Sequence, residues 1–308
     1  MPSTRITRFA WGLLAYTIFV ILFGAWVRIT GSGAGCGEHW PTCHGEIVPR
    51  APEIETIIEF THRLTSGVYG ILVVLLLIAV IRRFPRGHLA RLTAWLTLLF
   101  TISEALVGAR LVLLGLVADN DSVDRAIWMA IHLINTSFLT GSLAACCWSS
   151  GQTQSPRRVD KRTFWISIGA LVGLGVVGVS GAVTALGDTL YPVLEGGAGL
   201  VERVANDQAL GAHFLQKVRI LHPMIAVGVG ALLLGASQIL AGWYPSKNVE
   251  ALARWVSYGV VLQITAGVVN IMLSAPGWMQ IIHLLCGTML WIGVVLLVLA
   301  VRYPSQAR

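Results

Sequence analysis

The sequence predicts an all-α, polytopic membrane protein with eight transmembrane helices, and three observations carry that prediction. Of its 308 residues, 55% are hydrophobic and 12% charged, more apolar surface than a water-soluble domain can hide. The apolar residues gather into continuous runs, and roughly 20 residues suffice to cross a bilayer as a helix. Basic residues between the runs concentrate in alternate loops. Barrel strands would instead alternate apolar and polar residues.

The runs cover residues 9–28, 58–82, 89–113, 125–147, 164–186, 215–241, 251–273 and 277–301. The first has basic flanks like a secretory leader, but no small-residue cleavage pattern follows its apolar core, so it is read as a span. The second opens on Glu59-Phe-Thr-His62-Arg63; the third carries Glu104 and Gly108; the fourth contains Met129-Ala-Ile-His132-Leu133. A Ser-, Gln-, Pro- and Arg-rich stretch, 151–162, reads as a linker. Span five then carries Gly181-Ala182, span six opens on Arg219-Ile-Leu-His222-Pro223, span seven holds Gly267, and span eight holds Gln280-Ile-Ile-His283-Leu284.

The net charge of +7 could suggest a nucleic-acid partner, but its distribution points to lipid. Arg5 and Arg8, Arg82, Arg83, Arg86 and Arg91, Arg157, Arg158, Lys161 and Arg162, Lys247 and Arg254, and Arg302 and Arg308 all fall on one side. That side is expected to be cytoplasmic, both termini included, in a cell membrane. The opposite loops are longer and acidic, with Glu38, Glu46, Glu53, Glu55, Asp119, Asp121, Asp124, Asp188, Glu195, Glu202 and Asp207.

The two halves echo each other. His62 corresponds to His222, His132 to His283, Gly24-Ala25 to Gly181-Ala182, and Gly108 to Gly267. Two pseudo-symmetric four-helix bundles are expected, residues 1–150 and 163–308, related by an axis along the membrane normal because each half has an even number of spans.

Ionisable residues inside spans are costly and point to function. His62, His132, His222 and His283 lie at a common depth near one end of the even-numbered spans, and histidines from facing helices can supply both axial nitrogens of a heme iron. The predicted pairs are His62 with His132 and His222 with His283. The bland alternative is that each imidazole only hydrogen-bonds a neighbouring helix; zinc or copper is another, though the spans show no close His-x-x-His or Cys-x-x-Cys clustering.

Glu59 lies three residues before His62 and so on the same helix face, whereas Arg219 occupies the matching position before His222. The asymmetry predicts chemistry in the first pocket and electron relay in the second. A carboxylate there could accept protons, orient water or capture a carbocation; the competing reading is an acid near a helix N-terminus, stabilised by the dipole. Glu104 is read as a structural hydrogen-bonding partner.

The first outer loop reads Gly31-Ser-Gly-Ala-Gly-Cys36-Gly-Glu-His39-Trp40-Pro41-Thr-Cys43-His44-Gly45. Facing an oxidising compartment, Cys36 and Cys43 are expected to form a disulfide that pins this loop over the first pocket. Redox-active thiols, or metal binding through His39 and His44, are the alternatives. Cys146, Cys147 and Cys286 read as small buried apolar residues.

The Gly-Ser-Gly-x-Gly-Cys36 stretch running into Trp40-Pro41-x-Cys43-x-Gly45, then Glu59-x-x-His62-Arg63 and the histidines of spans four, six and eight, resembles the heme A synthase family across nearly the whole chain. The resemblance implies an oxidoreductase that converts the C8 methyl of heme O to the formyl group of heme A by successive hydroxylations, with water as oxygen source, for cytochrome oxidase. It places the substrate heme with Glu59, His62 and His132 in the amino-terminal half, and a heme b cofactor with His222 and His283 in the other. It further implies a heme O synthase as partner and leaves homo-oligomerisation open. Some bacterial members carry a second cysteine pair between spans five and six, which this sequence lacks. A di-heme cytochrome b electron-transfer module suits the same fold and histidines, as does a heme carrier without catalysis; Glu59 and the Cys36 loop distinguish the synthase from a pure relay.

Overall fold

A computed structural model of the chain describes residues 4–152, 156–193 and 199–303. Its helices are α1 (Thr4–Ile29), α2 (Ile54–Arg83), α3 (Leu89–Leu113), α4 (Val123–Ser150), α5 (Lys161–Leu190), α6 (Leu200–Asp207), α7 (Phe214–Lys217), α8 (Leu221–Trp243), α9 (Lys247–Met272) and α10 (Gly277–Arg302). Eight segments are long and apolar enough to cross a membrane, α7 and α8 counting as one. The protein is a polytopic all-α membrane protein. Among the described residues, extended pairing is confined to an isolated bridge between Cys43 and Glu46.

The helices follow the apolar runs in order and mostly overrun them by a few residues, because polar caps set the ends and hydropathy does not. Ser122, Asp160 and Ser246 accept hydrogen bonds from the backbone N–H of Arg125, Thr163 and Val249 at 3.2, 2.8 and 3.2 Å, satisfying donors that a helix start leaves free. The Asp160 cap corrects the linker: Lys161 and Arg162 belong to α5. That cap, chiefly through the Thr163 N–H, also holds the Asp160 carboxyl below the usual range. Linker residues 153–155, together with Glu195 and Arg308, lie outside the described residues.

Two helical features escaped the sequence reading. The short α6 lies in the acidic loop between spans five and six. Span six is also interrupted by a 3-10 turn over Val218–Ile220, since Pro223 has no N–H to give the carbonyl four residues back.

The packed core sits toward the linker end. One buried cluster joins Leu13, Leu76, Val80 and Leu143 with Ile292 and Leu296 of α10; another joins Leu233, Val256, Leu290 and Val294. Tyr69, Leu139 and Leu290 are the buried residues of α2, α4 and α10 in these clusters nearest the histidines, and each lies seven residues beyond the histidine of its helix, about two turns at 3.6 residues per turn. The histidine level is built differently.

At that level the halves are joined by polar contacts. Arg28 donates to Ala185 O at 2.7 Å, to Thr189 Oγ1, and to Gln280 Oε1 at 2.9 Å, tying α1 to α5 and α10. Below it, Trp291 Nε1 donates to Ser137 O at 2.8 Å. Gly178 and Gly277 let Leu133 and Ile29 approach: an added Cβ would lie 2.9 and 2.4 Å from those side chains.

Candidate functional site: a disulfide-capped carboxylate and two histidine pairs

Cys36 and Cys43 are disulfide-bonded, their Cα atoms 4.5 Å apart and neither exposed. The loop they close lies directly on the start of α2. At Gly35 a Cβ would come within 2.4 Å of the Glu55 carbonyl, so only glycine allows this approach, and Gly35 O accepts from Thr56 Oγ1 at 2.6 Å and from the His44 ring at 2.8 Å.

Glu59 is 3% exposed and lies beneath this loop. Its Oε2 accepts from the Cys36 N–H at 2.8 Å, and its Oε1 from Arg63 Nε at 3.0 Å and from Arg63 Nη2. Arg63 in turn donates through Nη1 to His39 O and Thr42 O, both at 2.7 Å. Helix, carboxylate, guanidinium and disulfide loop thus form one clamp. Since α2 starts at Ile54, Glu59 sits in its second turn, beyond the first-turn N–H groups that favour an acid at a helix start.

Arg63→Ala would remove both loop bonds and strand a buried carboxylate, a change that costs about 3–5 kcal/mol when a buried pair is broken. The expected result is a lower unfolding temperature in detergent and faster reduction of the disulfide by a mild thiol. Unfolding and reduction at the rates of the unaltered protein would mean the loop is held by something else.

His62, His132, His222 and His283 lie on α2, α4, α8 and α10, and glycines admit three of them. An added Cβ at Gly24 would lie 3.1 Å from His62 Cε1, at Gly181 2.9 Å from His222 Cε1, and at Gly267 3.2 Å from His283 Cε1. Gly108, expected to match Gly267, has no such neighbour; His132 meets the Glu104 carboxylate instead, Nδ1 to Oε1 3.5 Å.

The His222 and His283 rings are 6.2 Å apart between centres. An iron bonded to two imidazoles at roughly 2 Å per bond separates ring centres by about 6 Å, so this pair fits a heme iron. Ser180 Oγ, 3.0 Å from His222 Nδ1, already gives its hydrogen to Val177 O. With that hydrogen on Val177 O, His222 donates from Nδ1 in the tautomer that leaves the Nε2 lone pair for a metal. Nδ1 of His62, His132 and His283 is buried with no hydrogen-bond partner. Among the described residues no three His, Cys, Asp or Glu side chains converge, so pairs are the donor sets on offer.

Arg219 repeats the position of Glu59 with opposite charge. It donates to Gly187 O at 2.8 Å and to Tyr191 O, and pairs with Asp188 at 2.9 Å and Asp207 at 3.1 Å. Glu59 accepts from a loop N–H; Arg219 donates to the carbonyls that end α5. Each fastens the chain after an odd-numbered span to the next span.

The sequence reading missed two inward-bonded arginines, the half-buried Arg28 and the buried Arg125. Arg125 is 4% exposed and donates to Ala118 O and Asn120 O at 2.5 and 2.6 Å. A signal existed: both are basic residues at span ends on the side where the positive-inside pattern predicts few.

Fold and site together define a multi-pass membrane protein whose even-numbered spans each carry one histidine, with a buried carboxylate beneath a disulfide loop. The chain belongs to the COX15-CtaA family of cytochrome oxidase assembly proteins, whose pattern matches residues 7–295. It is 46% identical over 296 residues to a protoheme IX farnesyltransferase of Thermus thermophilus, covering 96% of this chain and 48% of that protein. It is 47% identical over 98 residues to heme A synthases of Bacillus cereus strain AH187 and Bacillus anthracis strain CDC 684, 32% of each chain in both cases. The chain spans about half the length of the Thermus relatives it matches.

Proposed function

We propose that this chain is a heme A synthase, oxidising the C8 methyl of heme O to the formyl group of heme A. The observation that carries this reading is Glu59, held beneath the disulfide loop one turn from His62, while the second histidine pair has Arg219 in that place. A pure electron relay gives no reason for that difference. The family and the relatives named heme A synthase support the reading. So does the relative named for farnesylating protoheme IX, since a farnesylated heme is the substrate proposed here.

The amino-terminal half, 1–150, would hold the substrate heme between His62 and His132, and the half from 163 onward would hold heme b between His222 and His283. Converting a methyl to a formyl group takes one water and releases four electrons and four protons, in two two-electron steps through the alcohol. Glu59 acts on the methyl as base or carbocation acceptor, and the clamp fixes where its oxygens lie. Heme b, when bound, would pass those electrons one at a time to an external electron acceptor, the net oxidant of the reaction. His222 and His283 fix its position, with Ser180 setting the His222 tautomer. The disulfide end faces the oxidising compartment, and both termini lie in the cytoplasm. A heme O synthase would deliver the substrate.

Coexpression with a heme O source, followed by chromatography of extracted hemes, should show heme A. Heme b alone would indicate a di-heme relay, and bound heme O without formyl product a carrier.

A further inference from the structure

The two halves differ again one helix away from Glu59. Glu104 of α3 and Gln263 of α9 each stand four residues before the matched glycines Gly108 and Gly267. Each points at the histidine of the following span. Gln263 Nε2 lies 3.1 Å from His283 Nε2, and Glu104 Oε1 lies 3.5 Å from His132 Nδ1, a nitrogen without a hydrogen-bond partner. The carboxylate thus stands at Nδ1 of His132, whereas the amide stands at Nε2 of His283 and leaves His283 Nδ1 without a partner.

The surroundings differ to match. Glu104 Oε2 accepts from Asn135 Nδ2 at 2.5 Å, and Oε1 accepts from Thr136 Oγ1. Asn135 is steadied in turn by Phe100 O at 2.8 Å and Ser103 Oγ at 2.6 Å. In the second half the places of Asn135 and Thr136 are taken by Cys286 and Gly287. A Cβ at Gly287 would lie 3.2 Å from Gln263 Nε2, so the glycine makes room for the amide. A carboxylate within a span is costly unless it is bonded, and here its bonds come from α4, the helix that carries His132.

We propose that Glu104 is a positioning residue of the first histidine pair: it orients the His132 ring and, as carboxylate partner of a ligand histidine, holds the potential of that heme below that of the heme between His222 and His283. This rests on reading the two pairs as heme sites. A carboxylate behind a ligating imidazole makes it a stronger donor, which favours ferric iron; His283 has no such group at its Nδ1. Glu104 at Nδ1 of His132 is thus a built difference between two otherwise similar sites.

The test is redox titration, monitored by absorbance, of purified protein loaded with heme O by coexpression, as unaltered protein, Glu104→Gln and Thr136→Val. Glu104→Gln removes the charge beside His132 Nδ1. It should raise the first-site potential, leave the second unchanged, and lower heme A yield roughly 10- to 100-fold, the usual effect of removing such a partner. Thr136→Val takes away the hydroxyl from which Glu104 Oε1 accepts, leaving that oxygen to His132, and should lower the first-site potential. An unmoved first-site potential in Glu104→Gln with both hemes retained would overturn the proposal, because a purely structural Glu104 predicts that result. If Glu104→Gln releases the first-site heme, Thr136→Val decides, and an unshifted first-site potential there overturns the proposal. Protein that holds both hemes yet makes no heme A would refute the synthase reading while leaving these potentials measurable.

Discussion

Heme A production should fall on the order of 100-fold in Glu59→Gln, the scale of losing a general base, while both hemes remain bound. Glutamine keeps the volume and an acceptor for the Cys36 N–H. Arg63 keeps its bonds to His39 O and Thr42 O, so the loop should stay in place. Extracted pigment should shift to heme O or its alcohol form, and which of the two accumulates identifies the stalled step. The clamp sharpens the competing account, in which Glu59 serves only to fasten the loop, as Arg219 fastens the end of α5. On that account the glutamine variant makes heme A at a near-normal rate or loses substrate heme. Either result moves the chemistry away from Glu59.

His222→Ala and His283→Ala should each deplete heme b from the purified protein by at least about 10-fold, since each removes one of two axial ligands. The alanine at 222 also leaves the surface at Gly181 without the ring that covers it, so protein yield has to be measured alongside pigment. Heme b at the unaltered level in both variants would mean that the halves have been assigned the wrong way round. First-site heme O should persist in these variants, although its oxidation should stop for want of a relay.

Much of this protein is legible along the chain alone. Membrane class, eight spans and the four histidine positions follow from apolar runs and costly intramembrane residues, because lipid imposes a one-dimensional pattern on the chain. Cys36 and Cys43 were legible from their spacing within a Gly-rich outer loop. Helix ends were less so: Asp160 and Ser246 start helices by capping, which hydropathy does not report, and the break before α8 depends on Pro223 denying one carbonyl its partner.

The sequence by itself therefore determined the class, the spans and the residues worth testing. Only the tertiary structure decided their partners. Nothing in the spacing of Glu59 says that its oxygens are bound by Cys36 and Arg63, or that Arg28 crosses from α1 to α5 and α10. Nor does it say that Gly24, Gly181 and Gly267 sit against imidazole rings while Gly108 does not. Such contacts join residues on different helices, set by how those helices lean and rotate in the packed bundle, and a pattern read along one chain carries no measure of either.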